Sequence, residues 1–113
     1  MHELSIAMGI VEFAEEEARK NGATISAIHL KLGQLSGVVK DALQFSFEVA
    51  CQGTAAEGSR LVIEEVPITL YCGVCEAERN PEPAYRLWCP VCDNPAPQIV
   101  RGKELEVVGL EIG

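Results

Sequence analysis

Basic residues are scarce in this chain: nine lysines and arginines stand against seventeen aspartates and glutamates, for a net charge of -8. Proteins that grip DNA or RNA draw much of their affinity from cations set on phosphates, so this balance argues against a nucleic-acid partner. Even in the cysteine-rich segment, Arg79 and Arg86 are outnumbered by Glu76, Glu78 and Glu82. Histidine is rarer still. His2 and His29 are far apart in sequence, and no nucleophile motif accompanies them, so no constellation of catalytic groups can be assembled and the chain is not expected to be an enzyme. Long apolar runs are missing as well, none approaching the roughly 20 residues of a membrane-spanning helix. The start shows no basic region followed by an apolar run and a cleavage site. With its thiols arranged for metal, the chain is expected in a reducing cytoplasm.

Cysteine is what the chain does have. Four of its five cysteines form two Cys-x-x-Cys pairs, Cys72-Gly73-Val74-Cys75 and Cys89-Pro90-Val91-Cys92, with thirteen residues between them. A two-residue gap lets one tight turn aim two sulfurs at one point, and two such turns complete a tetrahedral thiolate shell. Zinc suits that shell first, and a single iron, as in a rubredoxin-like electron carrier, suits it second. Either way all four positions are protein ligands, which leaves no site for water or substrate, so the metal is read as structural. The fifth cysteine, Cys51, is read as a small buried apolar residue.

A second donor set stands at the start. The Met1 amine, the backbone amides of His2 and Glu3 and the His2 imidazole can offer four nitrogens to one ion, a set that suits square-planar Ni(II) or Cu(II). The bland alternative is a frayed terminus. Initiator removal normally requires a small second residue, and His2 is bulky, so the free amine is expected to stay on Met1.

Hydrophobic periodicity places these donors on a framework. Leu4, Ala7, Val11, Ala14 and Ala18 recur at helical spacing, widened by Ile6, Met8, Ile10 and Phe13, and predict a helix over about 4–20 that Asn21-Gly22 stops. The first amides of that helix have no intrahelical acceptor and are free to be deprotonated onto a metal. From Thr24 to Gly33 the period becomes two, with Ile28, Leu30 and Leu32 on one face and His29 on the polar one. A second helix is predicted over Val39 to Cys51, a strand over Arg60 to Val66, and a last strand over Lys103 to Ile112. Between them the chain loops through Asn80-Pro81-Glu82-Pro83 and leaves the cysteine segment through Asp93-Asn94-Pro95-Ala96-Pro97, with Tyr85 and Trp88 read as packing residues of the small lobe. The expected fold class is α+β: two helices on a three-stranded mixed sheet (residues 1–67 and 98–113), with an inserted zinc ribbon (residues 68–97).

Taken together, Met1-His2-Glu3-Leu4-Ser5, Gly33-Gln34-Leu35-Ser36, Phe45-Ser46-Phe47-Glu48 and the paired Cys-x-x-Cys motifs resemble the HypA/HybF family, the nickel metallochaperones of [NiFe]-hydrogenase maturation. The resemblance covers the whole chain. It implies nickel as cargo, bound through His2 and the terminal nitrogens, and structural zinc on Cys72, Cys75, Cys89 and Cys92. It also implies a HypB-type GTPase partner, the hydrogenase large-subunit precursor as recipient, urease maturation in some members, and a monomer or weak homodimer. The chain departs from the family pattern at Lys40, where a proline often stands, and at Glu76 and Asp93, where many zinc knuckles have glycine. The competing expectation is a zinc-ribbon adaptor that only binds other proteins.

Overall fold

The computed structural model describes residues 2–81 and 86–113. Met1, Tyr85 and the Glu82-Pro83 part of the predicted loop lie outside the described residues. The elements run α1 (Glu3–Asn21), β1 (Ile25–Gly33), α2 (Lys40–Cys51), β2 (Arg60–Val66), β3 (Thr69–Cys72), β4 (Ala77–Arg79), β5 (Gln98–Arg101) and β6 (Leu105–Ile112). They form two three-stranded sheets, ordered β2-β1-β6 and β4-β3-β5. By their contacts they form two compact units: residues 1–31, 37–64 and 106–113, and residues 32–36 and 65–105.

The first unit is built on α1 and α2. Gly22 ends α1 in the left-handed conformation at φ 59°, and its neighbourhood closes the last carbonyls of the helix, as a C-terminal glycine does. The buried stripe of α1 is Ala7, Ile10, Val11, Ala14 and Ala18; Leu4, Met8 and Phe13, expected on the apolar face, are each nearly half exposed. The small alanines let the helix approach its neighbours closely. Glu3 meets the start of α2 and Glu15 accepts a hydrogen bond from Ala55 N just past its end, so the helices lie side by side with like ends together. Their buried faces join Ile25, Ile28 and Leu30 of β1 and Leu61 of β2 in one core centred on Leu43 and Phe47. Cys51 is buried there too, and burial pushes its thiol up.

The central sheet is mixed. Thr24 pairs with Gly113, Ser26 Oγ donates to Glu111 O, and Gly33 N donates to Glu104 O, so β6 runs antiparallel to β1. Strand β2 returns after a helical crossover and lies parallel to β1, as such a connection requires. Gln34 N bonds Val66 O at one end, while Ser26 and Arg60 both reach Glu111 at the other. On the polar side His29 Nε2 lies 2.6 Å from Glu111 Oε2, the half-exposed position that the alternation predicts.

Gly33-Gln34-Leu35-Ser36 belongs to the second unit. A Cβ at Gly33 would stand 2.1 Å from Gly102 O, so only glycine allows the two backbones to pass. Leu35 N then donates to Gly102 O at 2.7 Å, and Gln34 Oε1 accepts from Ile68 N at 2.8 Å. This is the physical content of the Gly-Gln-Leu-Ser motif: it closes the backbone at the entry to β3. The core of this unit is small, with Ile68, Leu70, Cys72, Cys89 and Ala96 buried and Leu87 and Ile99 packed against them. Residues 98–101, to which the sequence assigns no element, form a strand, β5, paired with β3. One expectation is corrected. Trp88 is not a core residue: it is 38% exposed, with the Arg86 guanidinium 5.2 Å from its ring centroid.

Candidate metal centre

Strand β3 delivers Cys72 at its last position, and β4 leaves the turn two residues after Cys75, with Cys72 opposite Ala77. The turn between them is tight because Cys75 N donates to Cys72 Sγ at 3.4 Å. Such an amide-to-sulfur bond stabilises the thiolate form and fixes the sulfur's direction. The second turn is built without regular strands, among the described residues, and rests on the isolated Trp88–Pro95 bridge. Asp93 N donates to Cys89 O at 2.9 Å, and Cys89 N donates to Asn94 O at 2.8 Å. In both turns the residue after the second cysteine is left-handed: Glu76 at φ 52° and Asp93 at φ 57°. These are the two positions where other knuckles have glycine, and the turn keeps its shape here at the cost of strained side-chain-bearing residues.

The result brings all four sulfurs together. Each lies within 4.8 Å of every other, with Cys72 and Cys92 at 3.5 Å and Cys75 and Cys89 at 3.9 Å. A tetrahedron with metal–sulfur bonds of about 2.3 Å has edges of about 3.8 Å, close to the Cys72–Cys92 and Cys75–Cys89 separations, so the cluster suits a four-thiolate ion. It does not fit disulfides, whose sulfurs stand about 2.0 Å apart. Cys72 and Cys89 are fully buried, Cys75 and Cys92 half-buried. The thiols differ in their surroundings. Amides of Cys92 and Val91 pull Cys89 down to about 6 against the effect of burial. The Arg79 guanidinium pulls Cys75 down, but the neighbouring Cys92, Cys72 and Cys89 thiols and burial outweigh it and hold Cys75 at about 11. Side-chain and backbone bonds from Asn94 lower Cys92. A divalent cation inverts this competition between crowded thiols, because each sulfur then donates to the ion and not to a neighbour.

The other predicted donors lie in the first unit. His2 is exposed, adopts φ -110° and ψ 53°, and stands at the N-cap of α1, with its carbonyl accepting Ile6 N at 3.0 Å. The Met1 amine lies outside the described residues. Glu3 opens the helix, and its carboxylate accepts Val39 N at 3.3 Å. The sequence analysis used only the backbone amide of Glu3, whereas here its side chain also caps the start of α2. Val39 provides no side-chain cap, and Lys40 stands at the first helical position. The only signal for that contact was the missing cap. Arg79, opposite the buried Leu70 and lowering the Cys75 thiol, was likewise missed, since the alternation of a three-residue strand is too short to orient it.

The model of the family described as hydrogenase/urease nickel incorporation, metallochaperone, HypA matches residues 1–112. A hydrogenase maturation factor HypA from Chloroflexus aurantiacus is 51% identical over 112 residues, which cover 98% of this chain and 98% of that protein. Among solved structures, a solution structure of a HypA protein is 25% identical with a TM-score of 0.72, covering 99% of this chain and 96% of that one. The Ni metallochaperone HypA from Helicobacter pylori is also 25% identical, with a TM-score of 0.65 and coverage of 99% and 97%. The two helices, the mixed sheet and the four-cysteine lobe are thus features of a known architecture. Among the described residues no helix is long and apolar enough to cross a membrane. With the family model spanning nearly every residue and the cysteine cluster intact, this chain belongs to the HypA family, metallochaperones of hydrogenase maturation and not enzymes.

Proposed function

We propose that this protein takes up Ni(II) at its N-terminus and delivers it during [NiFe]-hydrogenase maturation, while Cys72, Cys75, Cys89 and Cys92 hold a structural Zn(II). The observation that carries the reading is the placement of His2. It is exposed at the open end of α1, where the amides of His2 and Glu3 precede any intrahelical acceptor. The positive end of the helix dipole favours the anionic amidates that a square-planar nickel ion would bind. Nitrogen donors at one end and thiolates in the other unit keep cargo and structural metal chemically apart, because borderline Ni(II) takes imidazole and amidate while zinc takes the closed thiolate cage. Residues 1–67 and 98–113 serve nickel and residues 68–97 serve zinc. The recipient is the hydrogenase large-subunit precursor in the cytoplasm, with a HypB-type GTPase as partner and urease maturation proteins as further candidates. The chain acts as a monomer or weak homodimer.

The test is made at the terminus. Two residues added before Met1 turn its amine into a mid-chain amide and move the free amine away, and His2→Ala removes the one side-chain donor. Nickel binding, followed by calorimetry and by square-planar absorption, should collapse in both variants, while elemental analysis finds one zinc and circular dichroism an unchanged fold. Normal nickel binding by the extended protein removes the amine from the site. Normal binding by His2→Ala overturns the proposed carrier and leaves a zinc-ribbon adaptor.

A further inference from the structure

The motif Phe45-Ser46-Phe47-Glu48 divides on α2. Phe47 is 2% exposed and belongs to the core, whereas Phe45, about 200° round the helix from it, is 68% exposed. Val49, one turn later, and Val39 at the N-cap are exposed as well. On α1, Leu4 and Met8 stand one turn apart and are each nearly half exposed. Met8 and Val11 line a groove of about 170 Å³ together with Glu12, Glu15, Ala50 and Thr54, so this stripe of α1 runs along the side that meets α2. A lone exposed apolar side chain calls for no explanation, but five on two neighbouring helices form a surface that the fold itself does not use.

Charge decides what such a surface accepts. From Glu3 to Ala18 and from Asp41 to Ser59 there is no lysine or arginine, while Glu12, Glu15 and Glu16 on α1 and Asp41 and Glu48 on α2 are acidic. A second copy would bring the same carboxylates against these, and an anionic membrane surface would be repelled too. The groove is smaller than the roughly 300 Å³ at which small-molecule pockets begin, and suits an anchoring side chain of something larger. The side of a helix also offers no backbone donors or acceptors, so the occupant must satisfy its own backbone, as a helix does and an extended strand does not. We propose that the outer face of α1 and α2, with Met8, Phe45 and Val49, docks a cationic amphipathic helix of a partner protein, its apolar anchors set along the groove and its lysines or arginines against Glu12, Glu15, Asp41 and Glu48. The two helices lie with like ends together, so the start of this face adjoins His2. The proposal deepens the carrier reading and rests on it for the purpose of the docking; the docking itself requires no nickel.

The probe is a synthetic helical peptide of about 14 residues, with leucine at i, i+3, i+4 and i+7 and lysine elsewhere, and its control is the same peptide with glutamate in place of lysine. Binding to the full chain is measured by calorimetry, with and without added Ni(II), and amide chemical shifts locate it. Wild type is compared with Phe45→Ser, with Glu12→Gln/Glu48→Gln and with Val108→Ser, the last an exposed apolar residue of β6 in the same unit. Phe45 is exposed enough that its replacement leaves the core intact, which circular dichroism checks. The lysine peptide should shift amides of α1 and α2. Phe45→Ser should weaken it about tenfold, as loss of one buried aromatic anchor does, and the double glutamine variant about fivefold at low salt. Val108→Ser should bind as wild type does. Wild-type affinity in Phe45→Ser, equal binding of the glutamate peptide, or shifts confined to residues outside α1 and α2 overturns the proposal. Self-association of the peptide-free protein that Phe45→Ser abolishes overturns it as well, since the occupant is then a second copy. Peptide binding by a protein that takes up no nickel at its terminus supports the docking and overturns only the carrier reading.

Discussion

Removing the zinc proposed for the four-cysteine centre should unfold the second unit and spare the first. Its buried residues are Ile68, Leu70, Cys72, Cys89 and Ala96, and two of these five are themselves ligands. Of the remaining three only Ile68 and Leu70 are large, and burying both contributes about 3–6 kcal/mol. A structural zinc in a finger-sized unit contributes on the order of 10 kcal/mol or more at neutral pH, so the ion outweighs the apolar core that surrounds it. The first unit is differently placed, with Phe47, Ile28, Leu30 and Leu43 fully buried in a core without metal donors apart from Cys51. Stoichiometric chelation, or Cys89→Ser, would be followed by amide hydrogen exchange at single-residue resolution. Protection of the β3 and β5 amides should be lost, while α1, α2 and the middle of β1 keep theirs. Unchanged protection across residues 69–72 and 98–101 in the zinc-free protein would refute the reasoning. Loss of protection throughout the molecule would show that the first unit cannot stand without the second.

Glu76→Gly should raise the thermal stability of the zinc-loaded protein by roughly 1 kcal/mol, since left-handed backbone costs an ordinary residue about 1–2 kcal/mol and glycine returns part of that as lost entropy. Asp93→Gly should yield less, because aspartate tolerates that conformation better than glutamate; a scanning calorimeter decides, and a destabilised Glu76→Gly would contradict the strain at φ 52°. Glu3→Ala should cost about 0.5–2 kcal/mol in urea denaturation through loss of the cap on Val39 N, yet leave nickel stoichiometry intact because the proposed donor is the backbone amide of Glu3. Cys51 should resist iodoacetamide in the native zinc-loaded protein at neutral pH. Its thiol is buried and pushed up by that burial, so it contributes stability below the unfolded thiol value near 9 and that stability declines as pH rises through the folded value. Rapid labelling of Cys51 by mass spectrometry at pH 7 would contradict its burial.

Much of this was legible in the residues because it depends on short-range geometry. Two Cys-x-x-Cys turns bring sulfurs together whatever surrounds them, and the four sulfurs do converge within 4.8 Å. The helices are written in 3.6-residue spacing and the first strand in alternation, so α1, β1 and α2 came within a residue or so of their observed bounds. Other features depend on residues far apart in the chain. Strand β5 lies in a stretch with little alternation and exists because β3 offers it a partner. Gly33 reads as a simple strand breaker until Gly102 O is found where its Cβ would be. Glu3 and Val39 are 36 residues apart, and the pairing of one's carboxylate with the other's amide follows only from how α1 and α2 pack. Arg79 reads as a surface charge in an acidic hairpin, and the register of β3 with β4 puts it on the same face as the buried Leu70 and Cys72. The sequence by itself determined which atoms can bind metal, since donor identity and turn spacing are local chemistry. Only the tertiary structure decided what surrounds those atoms, because the cations, amides and caps that tune them arrive from strands and helices whose pairing no local pattern specifies.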